Sequence, residues 1–145
     1  MKYIMANGAY DVLHTGHIEL LNYAKSLGDY LLVALDTDDR ISEAKGYDRP
    51  VNNACVRSTI ISNLKAVDEV RFFGSDEELI AIIKSYNPDV RVIGSDWKCK
   101  EVVGEKWCKE IAYFDRVSDE STTKTLEEYI ERRSTKEAWA GYDFL

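Results

Sequence analysis

Asn7-Gly8-Ala9-Tyr10-Asp11-Val12-Leu13-His14-Thr15-Gly16-His17 decides how the rest of the chain is read. The run Lys2 to Ala6 before it is short and apolar, as a buried strand is, and it stops at Asn7-Gly8. After it, Ile18, Leu21, Ala24 and Leu27 recur at a spacing of three on one helical face, and Gly28 supplies a stop. Tyr30 to Leu35 is again apolar and ends at Asp36-Thr37-Asp38. The quoted stretch is therefore the joint of a strand, helix, strand unit. Both histidines of the chain fall in it. A helix starting near Thr15 aims its free N–H groups and positive dipole end beyond the strand. Gly8 permits a tight turn, and Gly16 permits backbone to approach a ligand. Two imidazoles beside such an end make an anion site suited to a triphosphate. A metal pair lacks support, because no third histidine and no cysteine cluster accompanies them.

The alternation continues along the chain. Val56, Ile60 and Leu64 predict a helix after Pro50, and Glu69 to Phe73 a strand. Ser75-Asp76-Glu77-Glu78 matches a capping box and opens a helix through Leu79, Ile82 and Ile83 that stops near Asn87-Pro88. Val90 to Ile93 and Ile111 to Phe114 are further strands, and a last helix should begin near Ser121 with Leu126 and Ile130 on one side. Strands alternating with helices imply right-handed parallel crossovers. The expected fold is α/β, a doubly wound five-stranded parallel sheet with helices on both faces. Such sheets place their sites outside the carboxyl ends of the strands. The segments to inspect are then 7–17, 36–49, 94–100 and 116–124. Residues 1–133 read as one domain, and 134–145 as a tail whose Trp139, Tyr142 and Phe144 are a candidate partner contact.

Composition narrows the classes. The 145 residues carry 19 Lys+Arg against 26 Asp+Glu, a net charge of −7, with 45% hydrophobic and 31% charged residues. That is ordinary globular composition. An acidic balance without a basic block argues against a general nucleic-acid surface, but a small phosphorylated ligand needs only a local cationic cluster. No apolar run approaches the roughly 18 residues of a membrane span. Cys55, Cys99 and Cys108 form no C-x-x-C pair, so reduced thiols and a cytoplasmic location are the simplest expectation.

Gly8-x-Tyr10-Asp11-x-x-His14-x-Gly16-His17 after a first strand resembles the signature of the nucleotidyltransferase superfamily, whose usual form is G-T/V-F-D-x-x-H-x-G-H. Leu27-Gly28-Asp29-Tyr30 with Ala34 to Asp38 resembles the second strand of bacterial cytidylyltransferases, and Glu120-Ser121-Thr122-Thr123-Lys124 the motif that opens their last helix. The resemblance spans Met1 to about Arg133 and implies a Rossmann-like nucleotidyltransferase fold. It implies direct attack of an acceptor phosphate on the α-phosphorus of a nucleoside triphosphate, without a covalent intermediate. His14, His17, Lys45 and Arg116 are then the catalytic residues. Ala9, Tyr10, Gly16, Asp96 and the run Glu120, Ser121, Thr122 and Thr123 join them around the nucleotide. Asp11, Asp38, Arg49, Arg57 and Trp97 face the acceptor. The resemblance also implies Mg2+ carried mainly by the nucleotide phosphates, no protein metal site, and a homodimer.

Two subfamilies are similar in different places. The N-terminal third, Gly94-Ser95-Asp96-Trp97 and Arg116 resemble glycerol-3-phosphate cytidylyltransferase, which uses CTP. Lys45-Gly46-Tyr47-Asp48-Arg49-Pro50-Val51-Asn52 resembles the ATP-using heptose 1-phosphate adenylyltransferase of ADP-heptose synthesis. The cytidylyl reading is the slightly stronger expectation, because Arg116 and Asp96-Trp97 lie nearer the nucleotide. A non-catalytic nucleotide-binding module is a third reading, disfavoured by the retention of both histidines, Lys45 and the Ser-Thr-Thr run. Class I aminoacyl-tRNA synthetases share H-x-G-H, but the chain is too short for a tRNA-reading domain.

Overall fold

Every apolar run becomes a strand of one parallel sheet in the computed structural model, which describes residues 1–116 and 121–137. The strands are β1 (Tyr3–Gly8), β2 (Tyr30–Asp36), β3 (Glu69–Phe73), β4 (Val90–Gly94) and β5 (Ile111–Phe114). They lie in the order β3-β2-β1-β4-β5, all neighbours parallel. The chain leaves β1 toward β2 on one side and returns to pair β4 on the other. A crevice therefore opens at the carboxyl ends of β1 and β4, where the order reverses.

The helices are α1 (Thr15–Ser26), α2 (Asp38–Lys45), α3 (Ala54–Ser62), α4 (Asp76–Tyr86) and α5 (Thr122–Glu137). Two apolar layers cover the sheet. Ile4, Ala6, Leu31, Val33, Leu35, Val90 and Val92 meet Leu21 and Ala24 of α1 and Ile61 of α3. On the opposite face Met5, Leu32, Ala34 and Phe73 meet Leu79 and Ile83 of α4. Burying one such Leu or Ile contributes about 2 kcal/mol, so the central strands hold the site rigidly.

Two local readings are corrected. The loop expected after β2 contains α2. Thr37 caps it by accepting from the Arg40 N–H, Asp38 and Asp39 occupy its positive first turn, and Ile41 is buried beneath it. Lys45 thus ends a helix. Second, α3 turns its other face inward: Arg57 and Ile61 are buried, whereas Val56 and Ile60 are exposed. The last helix, α5, begins one residue after Ser121 and runs through Glu137, with Leu126 half-buried and Ile130 exposed. The capping box forms with one change, since Ser75 Oγ accepts from the Glu78 N–H while Glu78 reaches back to the N–H of Gly74. Glu120 and the aromatics Trp139, Tyr142 and Phe144 lie outside the described residues.

Candidate active site

Asp11 organises the loop between β1 and α1. Its side chain is buried, with Oδ2 accepting from the Val51 N–H at 2.7 Å and Oδ1 from the Asn52 N–H at 2.9 Å. Its backbone carbonyl accepts from Thr122 Oγ1 at 2.5 Å. One residue therefore ties the segment before α3 and the start of α5 to the end of β1. Tyr10 and Val12 on either side have φ of 49° and 48°. A β-branched residue rarely takes that left-handed conformation, and the bonds on Asp11 hold it there. Gly8 leaves room for the Tyr10 ring, because a Cβ there would sit 3.1 Å from Tyr10 Cε2.

The consequence is that two helix N-termini converge. Ser121 Oγ accepts from the Lys124 N–H and caps α5, while His14 caps α1. The His14 backbone N–H donates to His17 Nδ1 at 3.2 Å, and the two imidazoles stack with centroids 3.8 Å apart. With Nδ1 accepting, the His17 proton resides on Nε2. Burial, then the neighbouring His14, Arg116 and Lys45, lower the His17 pKa to about 4, against a smaller opposing pull from Asp11. His17 is thus neutral at pH 7 and offers a fixed Nε2–H donor. Lys45 also has its pKa lowered, by desolvation and then by Arg49, with Asp36 and Asp11 opposing. These charges share one neighbourhood.

The crevice, about 330 Å³, is lined by Gly8, Ala9, Tyr10, His17, Asp96, Trp97 and Arg116 among others. Gly94 ends β4 so that Asp96 folds back over the strand, and a Cβ at Gly94 would lie 2.6 Å from Asp96 Oδ1. Gly16 sits in the first turn of α1. Arg49 is nine-tenths buried, 3.7 Å from Asp11, and its Nε and Nη2 have no hydrogen-bond partner among the described residues.

Three residues that the resemblance set toward the acceptor hydrogen-bond to the scaffold. Arg57 is fully buried and spends its guanidinium on Asn52 O, Ala9 O and Asp38 Oδ1, at 3.0, 2.9 and 2.7 Å. Asp38 is its ion-pair partner, and Asp11 is occupied by backbone amides. All three brace the loops. Thr122 likewise turns its hydroxyl to Asp11, leaving Ser121 and Thr123 at the helix end. Asn7, Asp36, Arg40 and Arg91 also line the crevice; the first three fall in the segments marked for inspection but were given no role, and Arg91 lies outside them. Strand alternation sets Asn7, Asp36 and Arg91 on the face of β1, β2 and β4 that turns toward α4, and Arg40 reaches the crevice from α2. Among the described residues no group of three His, Cys, Asp or Glu could hold a metal, and no helix is long and apolar enough to cross a membrane.

Comparison with known proteins gives the same architecture a lineage. Bifunctional protein HldE of Helicobacter hepaticus is 41% identical over 126 residues, 87% of this chain but 26% of the relative. HldE of Nitratiruptor sp. is 42% identical over 128 residues, covering 87% of this chain and 27% of that one. The chain thus spans about a quarter of the length of these curated relatives. Among solved structures, a lipopolysaccharide core biosynthesis protein from Thermoplasma volcanium matches with TM-score 0.65 and 26% identity, over 81% of this chain and 99% of that one. Pantothenate synthetase from Thermus thermophilus shares the fold, with TM-score 0.63 at 12% identity over 93% of this chain and 64% of the other. These relatives favour the second of the two subfamily readings over the cytidylyl one. The cytidylyltransferase-like family model matches residues 5–137, so the chain belongs to the cytidylyltransferase-like family of nucleotidyltransferases.

Proposed function

We propose that this chain transfers a nucleotidyl group from ATP to the phosphate of a small sugar phosphate, releasing pyrophosphate. The observation that carries the reading is the joining of two helix N-termini by the Thr122–Asp11 hydrogen bond, around a neutral histidine donor. The choice of ATP and a sugar phosphate follows the HldE relatives, which belong to ADP-heptose synthesis. It also follows the Lys45 to Asn52 segment, whose Arg49 has two buried nitrogens without hydrogen-bond partners among the described residues.

In this mechanism an acceptor phosphate oxygen forms a bond to the α-phosphorus as the bond to the β-phosphate bridge breaks. The electron pair leaves with pyrophosphate. A phosphate monoester, with a second pKa near 6, is already largely dianionic at pH 7, so no general base is required. That suits a His17 held neutral, which donates from Nε2 to the phosphoryl oxygens rather than removing a proton. His14 and Arg116 add to the charge stabilisation, and Ser121 and Thr123 cap the outer phosphates from α5. Lys45 and Arg49 hold the two reacting phosphates together despite their like charge. Mg2+ carried on the triphosphate would neutralise further charge. Asp96 and Trp97 frame the nucleoside.

A pyrophosphate-release assay tests this with ATP, CTP and UTP, each against heptose 1-phosphate and glycerol 3-phosphate. Release with ATP and the sugar phosphate is the expected result. Release only with CTP and glycerol 3-phosphate would replace it with the cytidylyl reading, and no release with any pair would favour a binding module. We also propose a homodimer, for which the exposed Val51, Val56 and Ile60 offer an apolar face. Sedimentation at micromolar concentration should then give twice the 16.6 kDa chain mass.

A further inference from the structure

Past the histidines the crevice continues to the α4 face of the sheet, and its wall there is polar in a specific way. Asn7, Asp36 and Arg91 stand on the same face as Met5 and Ala34, and with Arg40, Phe73, Leu79 and Val103 they line the crevice. Arg91 is buried, and among the described residues it has no ion-pair partner. It donates from Nε and Nη2 to Asn7 Oδ1, at 3.1 and 2.8 Å, and from Nη1 to Val103 O. Because Asn7 Oδ1 is taken twice, the orientation of that amide is fixed and its NH2 is the group left to donate. Asp36 Oδ1 accepts from Arg40 Nε at 2.8 Å, while Oδ2 has no partner among the described residues. Asn7 pairs with Ala34 in the sheet, and Asp36 lies two residues further along β2. Strand geometry sets their Cα atoms about 8 Å apart.

We propose that this wall is the acceptor's hydroxyl-reading subsite, with Asp36 as acceptor and Asn7 as donor, and that it selects a polyhydroxylated phosphate ester. The inference rests on the nucleotidyl-transfer reading above. A sugar hydroxyl both donates and accepts, so a carboxylate oxygen and an amide NH2 facing one gap satisfy it completely. An alkylammonium phosphate lacks such a match. It prefers an open aromatic face, and the Phe73 ring is already covered by the Arg40 guanidinium at 5.1 Å. Burial pushes the Asp36 carboxyl above its ordinary pKa, while Arg40, Arg57 and Lys45 pull it back. A hydroxyl donating to Oδ2 would relieve that desolvation.

The test uses the intact chain with ATP, and heptose 1-phosphate, mannose 1-phosphate, glycerol 3-phosphate and phosphocholine as acceptors. The wild type should prefer the sugar phosphates to phosphocholine by at least tenfold in kcat/KM. Asp36→Asn, which exchanges the free acceptor for a donor, should raise the sugar-phosphate KM about tenfold or more. Its ATP affinity, measured by calorimetry without acceptor, should stay within about twofold. Equal use of phosphocholine by the wild type, or an unmoved acceptor KM in Asp36→Asn with ATP turnover intact, overturns the subsite alone. A wild-type chain that binds no nucleotide overturns the nucleotidyl-transfer reading, and the subsite with it.

Discussion

Replacing Asp11 with asparagine preserves its shape and removes one acceptor. In the wild type Oδ2 and Oδ1 receive the Val51 and Asn52 N–H groups at 2.7 and 2.9 Å, in a side chain only 1% exposed. Whichever way the asparagine amide turns, its NH2 meets one of these N–H groups. A charge-assisted hydrogen bond contributes about 1.5–3 kcal/mol and a buried unsatisfied N–H costs about 1–3 kcal/mol. The two overlap, and the nearby Arg49 at 3.7 Å also loses its counter-charge, so a loss of about 3–4 kcal/mol is expected. Unfolding entropy of about 2.1 cal/mol/K per residue, over 145 residues, converts this to a fall in Tm of roughly 10 °C. If segment 46–53 detaches by itself, the melt moves less and the amide hydrogens of Val51 and Asn52 exchange faster instead. Thermal melts and hydrogen exchange on the same samples therefore cover both routes. A Tm within about 2 °C of wild type, together with unchanged protection at both amides, would refute the bracing role of Asp11.

Further perturbations probe the same framework. Arg57→Met should destabilise by about 3–5 kcal/mol in urea titrations, because it strands the carbonyls of Ala9 and Asn52 and the Asp38 carboxylate; a purely acceptor-binding arginine would leave the midpoint unmoved. His17 has a folded pKa of about 4, so between pH 6.5 and 4 the unfolded chain binds more protons and stability falls as pH falls, levelling below 4. The wild-type advantage over His17→Gln should shrink by about 2 kcal/mol from pH 7 to pH 5, and a pH-independent difference would contradict the buried neutral imidazole. Gly28→Ala should cost a few kcal/mol, since its Cβ would sit 2.7 Å from Ile4 Cγ1 and 2.8 Å from the Lys2 carbonyl; an unchanged melt would show that β1 yields at that point.

How much of the fold was legible depends on what each residue pattern encodes. The five strands were readable because their apolar runs have no alternative in a chain of this size. The helix α2 was not, although Thr37-Asp38-Asp39 is a proper N-terminal signal, because only Ile41 marks its buried side. The face of α3 was misjudged for a physical reason. Periodicity assumes that apolar side chains go inward, so it chose Val56 and Ile60 over a face that contains an arginine. Arg57 goes inward because three oxygens are waiting for its guanidinium, and two of them, on Ala9 and Asp38, are distant in sequence.

The site follows the same logic. His14, His17, Arg116 and Asp96 were singled out because strand-end position in an α/β sheet is itself a statement about the crevice, and His17, Asp96 and Arg116 do line it. Strand-end position does not say whether a polar side chain faces ligand or scaffold. Asp11 follows a strand end and Arg57 follows the next loop, and yet both bond to backbone, because those loops need buried acceptors and donors of their own. Arg91 shows the converse error. An arginine within a strand reads as a solvated residue, yet alternation sets it beneath the loop at Val103, where it orients Asn7. The net charge of −7 is equally uninformative about this region. What matters is that Arg49, Arg91 and His17 are withdrawn from water while their donors stay only partly used, since a desolvated donor gains most from an anionic or hydroxylated partner.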